Sequence, residues 1–195
     1  MFEEIEVWKV RLDRVVPLAP TPDEVERADR FATPLLRRRY LRAHAALRDI
    51  LQRHTTAPLE FAVREKGKPY LASDPTLYFN LTHCRDLALI AVTRAAEVGV
   101  DVERLRTMTD YAAIAQRYFP SGTPAPTNVR NFFRHWTRFE ALLKAQGTGL
   151  FGITEMPGEW TVASLDIGPR YAAAVAHEGP PRPIRIVGYE DRTAD

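Results

Sequence analysis

Alternation of apolar and polar residues predicts strands along much of the chain. In IEVWKVRLD, Trp8, Val10 and Leu12 share one side and Lys9 and Arg11 the other, which is the period-two pattern of a half-buried strand. LEFAVREKGKPYL predicts a strand, a turn at residues 67–69 and a short extension. Three short strands are predicted in LYFNLTHCRDLALIAVTRAAEVGVDVE, and three more in EWTVASLDIG, RYAAAVAHE and PIRIVGYE.

Apolar residues spaced three and four apart predict helices between these strands. PLLRRRYLRAHAALRDILQ carries one apolar stripe, and MTDYAAIAQRYF predicts a shorter helix. The clearest helix is VRNFFRHWTRFEALLKAQG, in which Phe132, Trp136, Phe139 and Leu143 form the stripe expected to be buried. Gly147 then stands at the usual position for a helix C-terminus.

The order of these elements predicts an α+β fold. The strand, turn and small-residue strand of LYFNLTHCRDLALIAV have the same outline as WTVASLDIGPRYAAAVA near the end of the chain. We therefore expect two similar halves related by a pseudo-twofold axis, each a small, mostly antiparallel sheet packed with helices. Residues 1–100 would form the first half and residues 101–195 the second.

Composition narrows the class of protein. The chain has 195 residues, of which 45% are hydrophobic and 27% charged, as in soluble globular domains. The net charge of +2 provides no field that would demand nucleic acid or a membrane, and no apolar run approaches the roughly 20 residues that span a bilayer. Cys84 is the only cysteine, which fits a reducing compartment. We expect a cytoplasmic monomer that binds neither nucleic acid nor membrane.

Two acidic residues near the middle of the chain are candidate metal ligands. Asp101 and Glu103 are two apart in a predicted strand, so both side chains project from the same face. Like charges this close raise each other's proton affinity unless a cation lies between them, and Mg²⁺ is often held by a few carboxylates and substrate phosphates. The alternative is a strand that ends in solvent with two ordinary surface acids.

Other charged residues are further candidates for a functional site. Glu140 and Lys144 are four apart on the flank of the clearest helix, where they could reach a cleft or form an ordinary exposed pair. His83, in NLTHC, is expected in a turn at the end of a strand, where a structural role is the alternative to catalysis. Eight arginines and only two acids lie between Arg27 and Arg53, and this excess could bind phosphate or line a solvated helix face.

Taken in order, these segments resemble one enzyme family. The series G-K-P-Y, F-N-L-T-H, G-V-D-V-E and W-T-x-x-E-A-L-L-K-A-x-G-x-G-L, which covers roughly residues 39–150, is similar to the 4′-phosphopantetheinyl transferase superfamily. It most resembles the surfactin-synthetase-activating type, in which one chain contains two similar halves. The resemblance implies transfer of 4′-phosphopantetheine from coenzyme A to a serine of an acyl or peptidyl carrier protein, with release of adenosine 3′,5′-bisphosphate.

The resemblance also implies a role for each candidate residue. Asp101, Glu103 and Glu140 match the family's ligands for Mg²⁺ or Mn²⁺, and Glu140 also matches the residue thought to help deprotonate the serine. Lys144 matches the lysine at the reacting phosphate. The residues that match contacts to the adenosine phosphates of coenzyme A are Arg39, Lys68 and His83, with further basic contacts at Arg27 and Arg30.

One position departs from the family pattern, and two other functions are therefore considered. The family usually has lysine directly before the helix glutamate, whereas this chain has Phe139, which the stripe predicts to be buried. A relative that binds coenzyme A or a carrier without transferring the group is therefore the second hypothesis. A metal-dependent phosphodiesterase or nuclease is the third, although the chain offers no further metal ligands at recognisable spacing.

Overall fold

The computed structural model describes residues 4–14, 19–120, 122–149 and 158–190. Its strands and helices follow the predicted order. They are β1 (Ile5–Arg11), α1 (Pro22–Ala28), α2 (Pro34–Gln52), β2 (Phe61–Val63), β3 (Pro69–Leu71), β4 (Tyr78–Cys84), β5 (Leu87–Thr93), β6 (Val98–Arg104), α3 (Tyr111–Tyr118), α4 (Val129–Gln146), β7 (Trp160–Ser164), β8 (Tyr171–Glu178) and β9 (Ile184–Gly188). None of the helices in these ranges is both long enough and apolar enough to cross a membrane.

The first sheet has the strand order β4-β5-β1-β9 and packs against α2. The prediction that β1 is half-buried is wrong for its first part, where both faces are covered, whereas Lys9 is partly exposed and Arg11 exposed as predicted. Trp8 and Val10 pack with Ala43, Leu47 and other residues of α2 on one side, whereas Ile5 and Val7 pack with the second sheet on the other. A period-two pattern identifies the strand but does not show what covers its polar-looking face.

The second sheet has the order β6-β8-β7 and supports α4. Strands β6 and β8 are antiparallel, with Asp101 opposite Ala174 and Gly99 opposite Ala176. These two alanines pack against Ala141 and other small side chains of α4. The sheet thereby presents the face that carries Asp101 to this helix.

The structure confirms the α+β class, with helices packed on small sheets. All pairings in the first and second sheets are antiparallel except that of β1 with β9. Strand β6 crosses residue 100, and β9, from the end of the chain, joins the sheet of β1. The division at residue 100 and the pseudo-twofold similarity stay predictions.

Candidate active site

Asp101 lies in the middle of β6 and is almost completely buried. Its neighbours Val100 and Val102 face the core between the sheets, so Asp101 projects from the opposite side, as alternation predicts. This side faces α4, which carries Lys144. Its Oδ1 atom accepts hydrogen bonds from Lys144 Nζ at 2.5 Å and from Thr82 Oγ1 at 3.2 Å. Its Oδ2 atom is buried and has no hydrogen-bond partner among the described residues.

Helix α4 brings Glu140 and Lys144 to this carboxylate. The two residues are one turn apart, so they lie on the same side of the helix. Burial raises the pKa of Glu140, the Lys144 ammonium opposes that rise, and Asp101 and Glu103 add to it. The structure therefore brings Glu140 and Lys144 together with Asp101, and the net environment favours a protonated Glu140 more than water does.

Strand β4 supplies a residue that the sequence interpretation missed. Thr82 is buried and contacts both Asp101 and Lys144, whose Nζ lies 3.1 Å from Thr82 Oγ1. Two residues earlier, Asn80 Oδ1 accepts the backbone N–H of Val100 at 2.9 Å, which ties β4 to β6. The turn predicted for NLTHC is wrong, because this segment forms the end of β4. Alternation within NLTHC would have placed Asn80 and Thr82 on one face.

Glu103 lies farther along β6 and is less buried than Asp101. Its Oε2 atom accepts a hydrogen bond from Arg106 Nη1 at 3.0 Å and lies 3.6 Å from Cys84 Sγ. Burial raises the pKa of the Cys84 thiol, and the nearby Glu103 carboxylate raises it further. The half-buried Cys84 is thus less readily ionised than a free thiol, and the thiolate is the form that acts as a nucleophile.

The acids match a hard cation in chemistry. In the part of the chain that is described, no three His, Cys, Asp or Glu side chains form a ready-made metal cage. The donor set is nevertheless made of carboxylate oxygens, which Mg²⁺ prefers, and the buried Oδ2 of Asp101 lacks a protein donor. The positive charge beside Asp101 is the Lys144 ammonium. A metal site at Asp101, Glu103 and Glu140 stays a prediction, and the chemistry of these residues is suited to it.

The other face of β4 opens on a cavity of about 570 Å³ between α1, α2 and the β2–β3 hairpin. His83 and Arg27 line it. Burial lowers the pKa of His83, and the positive charges of Lys144 and Arg39 lower it further. Arg39 has a buried Nε atom without a hydrogen-bond partner among the described residues. His83 is therefore within electrostatic range of Arg39 and of Lys144, the lysine that contacts Asp101.

Much of the arginine cluster is occupied by local ion pairs. Arg30 pairs with Glu26 at 2.6 Å on the exposed surface of α1. Arg48 pairs with Glu24, and both of these residues line the cavity. Among the described residues, the basic groups near the cavity are therefore partly compensated by acids.

Lys68 contacts Glu97 and neither Asp101 nor Lys144. It directly precedes β3, and its Nζ atom contacts Glu97 Oε2 at 2.6 Å, the carbonyl of Val98 at 3.1 Å and the carbonyl of Ala145 at 2.5 Å. Burial lowers the pKa of Lys68, and Glu97 opposes that shift. The structure does not bring this ammonium to the cavity that His83 lines.

Phe139 is buried, as the helical stripe predicted. It is 7% exposed, and its ring meets that of Phe119 edge-on with centroids 6.2 Å apart. Arg138, the basic residue beside it, is exposed. The aromatic residue is therefore part of the packing between the α3 end and α4.

Comparison with known proteins points to one family. A sequence model of the 4′-phosphopantetheinyl transferase superfamily matches residues 97–185, the segment that contains β6 and α4. The chain is 34% identical over 175 residues to the 4′-phosphopantetheinyl transferase HetI of Nostoc sp., a match that covers 80% of this chain and 74% of that protein. It is 27% identical over 179 residues to the 4′-phosphopantetheinyl transferase AcpT of Escherichia coli, covering 88% and 85% of the two chains.

Proposed function

The chain belongs to the 4′-phosphopantetheinyl transferase superfamily, and we propose that it transfers phosphopantetheine from coenzyme A to a serine of an acyl or peptidyl carrier protein. The observation that carries the proposal is the contact between Lys144 and Asp101 beside the half-buried Glu140. This arrangement combines a cation for phosphate, a carboxylate for metal and a proton acceptor. We further propose the surfactin-synthetase-activating type, because the motif series continues upstream through Lys68 and His83.

Asp101, Glu103 and Glu140 are the residues that would hold Mg²⁺ or Mn²⁺. A bound divalent ion would neutralise charge on the pyrophosphate oxygens of coenzyme A. Asp101 is held in place by Thr82, which fixes its orientation before any ligand binds. Glu103 is more exposed and shares its carboxylate with Arg106, so it would contribute less to the affinity for the ion.

In this reaction the carrier protein supplies the nucleophile, and this chain supplies the proton acceptor and the positive charge that stabilises the phosphate oxygens. The serine oxygen forms a bond to the phosphorus that carries the pantetheine arm, and the bridging P–O bond breaks to release adenosine 3′,5′-bisphosphate. Glu140 receives the serine proton, and its raised pKa makes it a better acceptor than an ordinary glutamate. Lys144, now paired with Asp101, supplies positive charge to the phosphate oxygens.

The cavity beyond β4 is proposed to take the adenosine end of coenzyme A. His83 lines it, and the buried Nε of Arg39 has no protein acceptor among the described residues. Guanidinium and imidazole groups donate to phosphate. Since β4 carries Thr82 on one face and His83 on the other, a bound coenzyme would pass along this strand from the cavity to Lys144.

The proposal also covers the compartment, the oligomeric state and the partners of the protein. Cys84 is the only cysteine, which fits a reducing compartment, and we propose that the protein acts in the cytoplasm as a monomer. Its partners are coenzyme A and a carrier protein, and neither nucleic acid nor a membrane takes part.

The test is direct modification of a carrier protein. The purified protein is incubated with coenzyme A, Mg²⁺ and apo-carrier proteins, and intact mass spectrometry measures the gain of one phosphopantetheine group. We expect the gain on the parent carrier and none on a variant in which alanine replaces the acceptor serine. Binding of coenzyme A by calorimetry without any carrier modification would instead support the second hypothesis, a binding relative.

A further inference from the structure

The short hairpin of β2 and β3 is connected to the far end of α4 by a single side chain. Lys68 directly precedes β3, yet its ammonium contacts the carbonyl of Ala145, which is 77 positions away in sequence. The same nitrogen contacts the carbonyl of Val98 at the start of β6. One residue thus joins the strand that carries Asp101 to the helix that carries Glu140 and Lys144.

The chemistry of the contact is suited to a helix end. Ala145 is in the last turn of α4, where carbonyl groups have no partner within the helix and the helix dipole is negative. A buried ammonium would be costly there without a counter-charge, and Glu97 supplies it at 2.6 Å. Arg64 also pairs with Glu97 at 2.5 Å, but from the exposed side.

The backbone around this contact is packed too closely for larger residues. A Cβ atom on Gly99 would lie 2.2 Å from the carbonyl oxygen of Ala141 and 2.2 Å from the backbone nitrogen of Ala145. At the other side, a Cβ atom on Gly147 would lie 3.3 Å from the Lys68 side chain. The two glycines therefore fix the approach of β6, α4 and Lys68 to one another.

We propose that Lys68 is a positioning residue of the transfer reaction, which ties the end of α4 to the start of β6 and so holds Glu140 and Lys144 against Asp101. This inference rests on the proposed function. Lys144 directly precedes Ala145, so a shift of the last helical turn moves its ammonium away from Asp101. A misplacement of about 1 Å can reduce a rate by roughly a hundredfold.

The contacts of Lys68 distinguish a positioning role from a role in binding a phosphate of coenzyme A. An ammonium has three N–H donors, and the structure gives Lys68 three acceptors: Glu97, Val98 and Ala145. A phosphate would have to displace one of them. The role that the family resemblance implies for Lys68 and the positioning role therefore predict different kinetics.

The test compares three single variants. Lys68→Met keeps the apolar stem and removes the ammonium, Glu97→Gln removes the counter-charge, and Arg64→Gln is the matched control, since it pairs with Glu97 without contacting α4. kcat and KM are measured with coenzyme A and with 3′-dephospho-coenzyme A. We expect Lys68→Met to lower kcat by about tenfold to a hundredfold with either donor, leaving the ratio of their KM values unchanged.

Glu97→Gln decides between the two roles even if Lys68→Met does not fold. A carboxylate repels phosphate, so loss of Glu97 cannot remove a coenzyme contact. We expect a smaller fall in kcat in the same direction, with parental kinetics for Arg64→Gln. An increase in KM for coenzyme A but not for its 3′-dephospho form in Lys68→Met, with parental kcat in Glu97→Gln, would overturn the proposal.

Hydrogen–deuterium exchange provides a readout that needs no transfer. We expect the backbone amides of residues 141–147 to exchange faster in Lys68→Met, or in Glu97→Gln, than in the parent and in Arg64→Gln. Unchanged exchange in both variants contradicts the tie between β6 and α4. A parent that modifies no carrier contradicts the proposed function, while the exchange result still decides whether Lys68 holds the helix end.

Discussion

The two parts of α4, an aromatic half of residues 129–139 and a small-residue half of residues 140–146, pack differently. The first half is aromatic: Phe132 and Phe133 are fully buried, and the ring of Phe119, at the end of α3, stacks on Phe132 with centroids 5.7 Å apart. In the second half, Ala141 and Ala145 pack on alanines of β8, and Leu143 is the one large buried side chain. Large rings fill the space beside α3, whereas small residues bring the helix backbone onto the sheet.

This difference explains why the charged residues lie where they do. A helix held away from its sheet by aromatic rings would leave a gap between Glu140 and Asp101. Close packing at Gly99 lets Lys144 reach Asp101 at 2.5 Å. Burial of large apolar area is the stronger source of stability, so we expect the aromatic half to stabilise the fold and the small-residue half to position the chemistry.

Removal of one ring from the aromatic half should give the largest effect on stability. Phe139→Ala deletes a buried side chain that contacts Phe119, and we expect a loss of about 3–5 kcal/mol in unfolding free energy. Urea unfolding measures the change. Carrier modification well below the melting temperature should be retained, because Phe139 packs against Phe119 and takes no part in the hydrogen bonds that join Asp101 and Lys144.

Phe139→Lys tests the same position with the residue that the family usually has. We expect it to unfold more easily than the parent, since an ammonium enters a packed site, although its stem could reach towards the surface. It should still modify the carrier. An unchanged melting temperature with a large gain in rate would show that position 139 belongs to the chemistry and not to the aromatic packing.

The largest effect on activity is expected from Asp101→Ala. It removes the carboxylate that orients Lys144 and is assigned to the metal, and we expect transfer to fall by about 10²–10³-fold. The melting temperature should change little, because Lys144 is partly exposed and keeps Thr82 as a partner. Glu103→Ala is the comparison variant and should lose less, since water can replace a more exposed ligand. Near-parental rates for Asp101→Ala at saturating Mg²⁺ would remove this residue from the site.

Gly99→Ala tests the close packing of the second half of α4 against β6. Its new methyl group would collide with backbone atoms of Ala141 and Ala145, and backbone cannot move aside as a flexible side chain can. We expect about 1–3 kcal/mol of destabilisation and a lower kcat with parental KM for coenzyme A. Calorimetric melting and steady-state kinetics on one preparation measure both. A variant that is destabilised with parental kcat would show that helix and sheet need not be this close for catalysis.

Local patterns predicted which large side chains of α4 are buried and where the helix ends. The stripe of Phe132, Phe139 and Leu143 follows from helical spacing, and Gly147 ends the helix with a φ of 70°. The common direction of Asp101 and Glu103 follows from strand alternation, and the structure places Asp101 on the side of β6 opposite to Val100 and Val102. These are properties of a few consecutive residues.

Contacts between distant segments could not be predicted in this way. Thr82 meets Asp101 and Lys144 only because β4 and β6 are brought side by side, and Lys68 meets Ala145 across 77 positions. The covered second face of β1 has the same origin, since the second sheet packs on it. In each case the partner, not the local pattern, decides the role of the residue.

The smallest effect on stability at neutral pH is expected from Glu140→Gln. The pH dependence of this effect tests whether the two halves of α4 act independently. Burial and two neighbouring acids raise the pKa of Glu140 in the folded protein, so protonation stabilises the fold relative to an ordinary glutamate. That contribution is present at low pH and is lost as the pH rises through the raised pKa. In the absence of metal, Glu140→Gln should therefore be slightly more stable than the parent at neutral pH, and the difference should vanish in acid.

The transfer reaction should require the ionised form of Glu140, whereas protonation of Glu140 stabilises the fold. A base must be ionised to accept the serine proton. The acid limb of kcat is then expected at a higher pH than for an ordinary glutamate, and the residual activity of Glu140→Gln should lack it. Phe139→Ala should keep the limb unchanged, since none of the charged groups that shift the pKa of Glu140 lies in the aromatic half. Urea unfolding and kcat measured over the same pH series compare the three proteins. If the limb moved in Phe139→Ala as well, the two halves of α4 would not be independent, and stability and positioning would have to be assigned to the helix as a whole.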